Sequence, residues 1–467
     1  EEKIQKCCDA ILITDPAVDR EITKSLKGER VAGTCEWIRK NSTFKQCILP
    51  DSKTHSLWLR GGPGMVKTIL STFLTEDLER SFVDQDKLQT FFFCDHQDCN
   101  RSSAVGILRG IIWQIIKAKP SLHVHVLYCA NNDKQTKHSL NSREALWLMF
   151  ERILRDEELG EVICIIYGLA ECDQDSITWL AGKIGHAVHE IQPECKHPPK
   201  FFIASRPEVA GLQMLKKMDL AGEVSIIHNN VKIFITAKIQ RLNLILGFDD
   251  ELRERVKTTS LERSEGSFLW LGCIIAELEL KPTCTEVQEA LNKFPKQLDA
   301  LYNRFLKQIS HDHKADCLRI FQWVTKARTP LSLAELGEAL QSEPHLGLSK
   351  ERSVRDRIVW CKSLVTVQEN IDDSILSTVS LIHYSFEQHL LSLVNSTDIS
   401  LQYFRIIEDE LHLLMARHCL DYFKKSLGEK LFWDCHDPVD NRLRPLMKYA
   451  ILYWGQHARC AGSQALQ

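Results

Sequence analysis

Four short apolar runs recur along the first half of the chain, and stretches with helical spacing separate them. Ser56–Arg60 reads Ser-Leu-Trp-Leu-Arg, and Leu88–Cys94, Glu161–Leu169 and Lys200–Ser205 have the same character. Thr68–Arg80 carries Ile69, Leu70, Phe73, Leu74 and Leu78 at a helical period. Ala104–Lys119 predicts a second helix, stopped by Pro120. Ser142–Glu158, after a polar loop at Asn131–Ser139, and Ile177–Ile191 predict two more. Apolar strands alternating with helices predict an α/β fold, a parallel doubly wound sheet.

After residue 228 the strands mostly stop. Val231–Leu246, Asp250–Ser260, Ser267–Leu280 and Thr285–Phe294 read as helices, and Leu298–Ile309, Ala315–Ala327 and Ser332–Ser342 continue the series. Leu364–Val367 and Val379–His383 then predict a two-stranded wing, with a helix at Glu387–Val394 behind it. Three helices followed by a hairpin is a winged-helix pattern. Leu401–Arg459 reads as helical again. The expected organisation is a helical lead-in (1–50), an α/β core (51–228), a helical lid (229–300), a winged-helix domain (301–395) and a C-terminal helical domain (396–467).

Composition narrows the function classes. The 467 residues are 44% apolar and 26% charged, enough for several packed domains. A formal net charge of −3 argues against a nucleic-acid coat or a membrane-surface protein. No apolar run approaches the ~18 residues that a membrane helix needs. The first residues, Glu-Glu-Lys-Ile-Gln-Lys-Cys-Cys, are too polar for a secretion signal and lack a starting Met, as expected of a segment from a longer chain. The 17 cysteines follow no pairing rhythm, and several, such as Cys164 and Cys273, sit in apolar stretches. That implies free thiols in a reducing, cytoplasmic setting. The group Cys94, His96, Cys99 lacks a second pair at ligand spacing, so it reads as structural thiols at a strand end rather than zinc ligands.

The candidate chemistry lies between the first strand and first helix of the core. Residues 61–68 read Gly-Gly-Pro-Gly-Met-Val-Lys-Thr. The phosphate-loop pattern G-x-x-x-x-G-K-[ST] is met at Gly61, Lys67 and Thr68 and broken at Val66. In such a loop the glycine-rich backbone, here including Gly62 and Gly64, cradles phosphates through N–H groups. The lysine reaches the outer phosphates and the hydroxyl binds Mg²⁺. Tyr167–Asp173 and Ser205–Arg206 fall at carboxyl ends of predicted strands, where open α/β sheets bind ligands.

With these residues in view, the chain resembles the NACHT-type STAND P-loop NTPases, in particular a fungal NLR-like branch with a nephrocystin-like N-terminal region. Gly61–Thr68, Val162–Asp173 and Phe201–Pro207 resemble its P-loop, its metal-binding strand and its sensor. Gly33–Ile38, Phe91–Gln97, Leu108–Gln114, Glu265–Trp270, Leu298–Tyr302, Pro330–Leu336, Leu381–Ser385 and Tyr449–Arg459 are similar to further segments of that branch, so the likeness spans nearly the whole chain. The resemblance implies a switch in which bound ADP clamps core, lid and winged helix, and ATP opens them for oligomerisation. It implies ATP/ADP and Mg²⁺ as cofactors. Lys67, Thr68, Arg206 and His383 would read the nucleotide, and Thr68 would also touch the metal. It implies an N-terminal effector and C-terminal repeats as the means of meeting other protein chains.

The chain departs from the family pattern at the places where chemistry would occur. Forcing a β-branched residue such as Val66 into a left-handed turn costs roughly 1–2 kcal/mol, so the valine is expected to strain the loop or turn its amides away. The acid on the Mg²⁺ side is Tyr167, and the second acid is Ala170, leaving Glu171 as the candidate to polarise water. Where relatives place Gly-x-Pro against the base, this chain has Gly266-Ser267-Phe268. The expected function is a nucleotide switch that binds ATP/ADP weakly, with hydrolysis lost. The alternative is a nucleotide-independent scaffold, and the acidic balance argues against nucleic-acid binding. Plainer roles stand beside each candidate. Lys67 and Thr68 could open a helix, Glu171 be a solvated carboxylate, Arg206 a salt-bridge partner and His383 a satisfied core histidine. Asp173 and Asp175 read as helix caps.

Overall fold

A computed structural model describes residues 2–27, 30–48, 56–82, 87–127, 138–240, 242, 248–341, 349–370, 373–429 and 442–462. They form two compact units, Glu1–Leu291 and Asn292–Gln467.

The first unit is built on five strands, β1 (Ser56–Arg60), β2 (Lys87–Phe93), β3 (Glu161–Tyr167), β4 (Lys200–Ser205) and β5 (Lys216–Asp219). Their order is β2-β3-β4-β1-β5, and every neighbouring pair is parallel. This is an α/β P-loop sheet. Val162 to Tyr167 and Lys200 to Ser205 are buried at successive positions, so both faces of β3 and β4 are covered. That double burial is why they read as continuous apolar runs. The edge strand β5, Lys-Lys-Met-Asp, was not expected from the sequence. Only Met218 is buried there, and charged residues suit an edge. Ladder bonds continue past the strand ends. Gly61 N–H donates to Ser205 O (3.3 Å), Gly168 N–H to Ala204 O (2.9 Å) and Cys94 N–H to Tyr167 O (2.9 Å). These bonds fix where three loops leave the carboxyl edge.

The lead-in helices Glu2–Ile11 and Pro16–Lys27 belong to this unit. Arg109 donates to the carbonyls of Ala10 (2.6 Å) and Ile11 (2.8 Å). Buried Arg101 lies 3.4 Å from Asp19. Helices Val224–Ile239, Asp250–Arg263 and Phe268–Glu279 follow the sheet, and Cys284–Lys293 spans the division between the units. Part of the predicted loop at Asn131–Ser139 and the end of the helix predicted at Val231–Leu246 lie outside the described residues.

In the second unit, helices surround a small antiparallel sheet in the order β6-β8-β7, from β6 (Leu331–Ser332), β7 (Val365–Gln368) and β8 (Thr378–Leu381). The hairpin follows the predicted wing. The helix Lys350–Trp360 was not expected, because it buries only Ser353, Val354, Arg357 and Ile358. Among the described residues no helix is long and apolar enough to cross a membrane.

A buried polar chain ties the last helices together. Arg328 N–H donates to Tyr449 Oη (3.0 Å), and Tyr449 Oη lies 2.8 Å from His457 Nε2. His457 Nδ1 lies 2.9 Å from His412 Nδ1. With Tyr449 giving its proton to His457 Nε2 and neutral His457 donating from Nδ1 to His412, each of these bonds has one donor and one acceptor. His457 is 0% exposed. Burial holds its pKa near 3, with help from His412 and Arg328, and burial with Arg328 and Lys326 holds His412 near 4. Both values lie below the ~6.5 of an unfolded histidine. The unfolded chain therefore takes up protons first, and stability falls as pH drops below about 6.5. Between pH 7.5 and 5 we expect a loss of roughly 2–4 kcal/mol. Urea unfolding across that range checks this, and the double change His412→Gln, His457→Gln should flatten the profile.

Candidate functional site

Residues 61–66 connect β1 to the helix Lys67–Phe82. The residue that needs left-handed backbone is Gly64, at φ +72°. Val66 is not among the positive-φ residues and is 4% exposed, with its side chain in the core. The expected left-handed strain at Val66 is therefore absent. The tight turn falls two residues earlier, and the valine carbonyl simply starts the helix by accepting Leu70 N–H at 2.9 Å.

The loop is internally bonded. Gly62 N–H donates to Met65 Sδ (3.2 Å), Met65 N–H to Gly62 O (3.3 Å) and Lys67 N–H to Met65 O. Lys67 folds back, and its Nζ donates to Gly61 O (2.6 Å) and Gly62 O (2.7 Å). Burial, reinforced by the neighbouring Arg206 charge, pulls its pKa down to about 7, with Glu171 and Glu208 opposing. A neutral amine has two N–H groups, which matches the two carbonyls.

Tyr167, the last residue of β3, points its hydroxyl at Thr68 Oγ1, and the two are hydrogen-bonded. Burial pushes the phenol pKa up, and Glu171 adds to this, so Tyr167 stays neutral. The hydroxyl that would hold Mg²⁺ and the residue in place of the metal-binding acid are thus engaged with each other. Mg²⁺ prefers octahedral, oxygen-rich sites with carboxylates, and these two residues do not fit it.

Glu171 ends a short turn after β3, in which Gly168 takes φ +75°. Its Oε2 lies 3.5 Å from His96 Nδ1. Asp173 caps the helix Gln174–His186 by accepting Ser176 N–H at 2.7 Å, and Asp175 sits inside its first turn. Arg206 follows β4, close enough for its charge to act on Lys67. The sheet thus brings Lys67, Thr68, Tyr167, Glu171 and Arg206 to one edge.

The sequence pattern did not reveal what holds the loop from the other side. Phe268 N–H donates to Gly64 O at 2.9 Å. The resemblance implies proline at this position, which has no N–H to give. The helix Phe268–Glu279, capped by Ser267, is thereby locked onto the glycine loop. Beside Thr68 lies a small cleft, walled by Thr23, Lys24 and Arg30 from the lead-in and by Thr72 and Phe73 from the helix after the loop.

His383 lies in the second unit. Its Nδ1 accepts Ser385 N–H (3.0 Å), which caps the helix Tyr384–Ser392, and Ser385 Oγ meets Tyr302 Oη at 2.9 Å.

A glycine-rich loop between a parallel strand and a helix, in a sheet of this order, defines the P-loop NTPase class. Residues 33–206 match the family described as nephrocystin 3, N-terminal. The chain is 26% identical, over 98% of its length, to vegetative incompatibility protein HET-E-1 of Podospora anserina. It is also 27% identical over 175 residues to azaphilone pigments biosynthesis cluster protein L of Monascus ruber. These matches span 34% and 36% of the two relatives, so the chain spans about a third of each. The family match and the likeness to HET-E-1 support a NACHT-type, fungal NLR-like reading of the chain. Among solved structures it is similar to the Aeropyrum pernix ORC2 protein (12% identity, TM-score 0.32, covering 81% of this chain and 97% of that one). Cdc6p of Pyrobaculum aerophilum is a second (11%, TM-score 0.35, 78% and 94%). Scores this low leave the fold to be read from the sheet itself.

Proposed function

We propose that Glu1–Leu291 is the nucleotide-binding core of an NLR-like signalling switch, and that it takes ADP or ATP without a Mg²⁺-dependent hydrolytic centre. The Thr68–Tyr167 hydrogen bond carries this reading, because it closes the metal position while Gly61, Gly62, Gly64 and Lys67 remain. The phosphates would meet the loop amides and Lys67, and the sugar and base would enter the cleft beside Thr68. Arg206 would sense the phosphates. The lid (229–300), winged-helix (301–395) and C-terminal helical (396–467) segments would transmit the state, with His383 as the second unit's reader. Other protein chains, including copies of this one, would be the partners, in the cytoplasm. Glu171 would have no hydrolytic step to serve. Nucleic acid is disfavoured as a partner. On the basic helix Lys350–Trp360, Lys350 pairs with Glu338, Arg355 with Glu369, and Arg357 lies near Asp316.

The scaffold reading has one observation of its own. Lys67 is satisfied by carbonyls of its own loop, so the loop is complete without phosphate. Calorimetric titration of ADP separates the two. With a lysine pKa near 7, phosphate binding should recharge Lys67 and draw in up to one proton as pH rises from 6.5 to 8.5. The binding enthalpy should then vary with the buffer's ionisation enthalpy, and Lys67→Ala should abolish binding. No heat from ADP at any pH favours the scaffold.

A further inference from the structure

The loops that follow β2 and β3 carry a donor set beside the phosphate site. Single ligand atoms of Asp95, His96 and Glu171 all lie within 4.8 Å of one another. His96 Nδ1 is 3.8 Å from Asp95 Oδ1 and 3.5 Å from Glu171 Oε2. Donors about 2.0–2.2 Å from a tetrahedral ion stand roughly 3.4 Å apart, so the two distances to His96 need to close by only tenths of an ångström and the two carboxylates by at most about 1.4 Å. Parallel pairing of Phe93 with Tyr167 sets the two strand ends side by side. Asp95 Oδ2 is held by Arg101, a buried guanidinium also near Asp98 and Asp19. Asp95 Oδ1 accepts Gln97 N–H at 3.0 Å, and a carboxylate oxygen has a second lone pair to offer an ion.

We propose that Asp95, His96 and Glu171 bind a first-row divalent transition ion through one imidazole and two carboxylates, with the remaining positions open to water. The donor set selects the ion. An imidazole beside carboxylates suits Mn²⁺, Fe²⁺ or Zn²⁺, whereas Mg²⁺ favours oxygen alone. Two carboxylates at this spacing repel one another, and a divalent ion removes that repulsion. The site differs from the family's metal position at Thr68 and Tyr167, although it draws on Glu171, the candidate water-polarising acid, and it needs no nucleotide.

Mn²⁺ is the suitable probe, because thiolates, abundant in this chain, hold it poorly. Titrating nucleotide-free protein and following loss of the free Mn²⁺ paramagnetic resonance signal should show one bound ion, displaced by Zn²⁺ and not by Mg²⁺. His96→Ala and Glu171→Gln should each weaken it by at least about tenfold, while Cys460→Ser, at an exposed thiol, should not. Cooperative thermal unfolding of each variant, and a parallel His96→Asn protein of closer size, separate ligand loss from misfolding. The proposal is overturned if wild type takes up no Mn²⁺ below millimolar concentration. It is equally overturned if folded His96 and Glu171 variants bind as wild type does. Because nucleotide is absent throughout, neither result bears on ADP binding.

Discussion

Gly64→Ala should destabilise the first unit by about 2–5 kcal/mol, combining left-handed strain with overpacking. A methyl group at Gly64, where φ is +72°, would lie 2.5 Å from Ser267 Oγ and 2.7 Å from Leu269 Cβ. Those atoms open the helix that Phe268 N–H anchors to Gly64 O. The chain cannot relieve both the torsion and the clash without parting the loop from this helix. Gly62→Ala is the matched control, since a methyl there meets only Met65 Sδ at 3.8 Å. Denaturant unfolding should separate the two variants clearly. Equal stability would mean that the loop and helix are not locked as described. Phe268→Pro, which removes the N–H and leaves the glycine intact, should weaken the same lock.

Tyr167→Asp should turn nucleotide binding from Mg²⁺-independent to Mg²⁺-dependent. The change removes the phenol from Thr68 Oγ1 and puts a carboxylate where a hard cation can use it. A gain of at least about tenfold in ADP affinity with Mg²⁺ is expected, or roughly 1.4 kcal/mol. The variant itself should be less stable, because a buried ring is lost and an acid takes its place. Mg²⁺ with ADP should therefore raise its melting temperature more than that of wild type. Val66→Gly should add little, because Val66 lies in unstrained backbone and contributes buried methyls. If Tyr167→Asp gains nothing from Mg²⁺, the phenol is not what closes the metal position.

Much of this was legible in the sequence. The strand, glycine loop and helix around residues 56–82 could be read because apolar runs of period-free strands contrast with the 3.6-residue spacing of Ile69, Leu70, Phe73 and Leu74. The edge strand β5 could not, since Lys216 and Lys217 have no face to bury. Val66 misled because the pattern assigns a glycine to its position, whereas in this loop Gly64 makes the left-handed turn. The lock at Phe268 was hidden for a different reason. A missing proline reads as a loss, and the N–H it exposes gains meaning only once Gly64 O lies beside it. His96 and Glu171 lie in loops that follow different strands, so only sheet pairing brings them together. His383 shows how an expected role and an observed one can share a residue. Its Nδ1 caps a helix within its own unit.

The most direct test of the account is the affinity of the wild-type chain for ADP, measured once with excess Mg²⁺ and once with EDTA. With Thr68 and Tyr167 bonded to each other, the two dissociation constants should agree within about twofold. A tightening of tenfold or more by Mg²⁺ would show the ion reaching Thr68, and would contradict the closed metal position on which the proposed function rests.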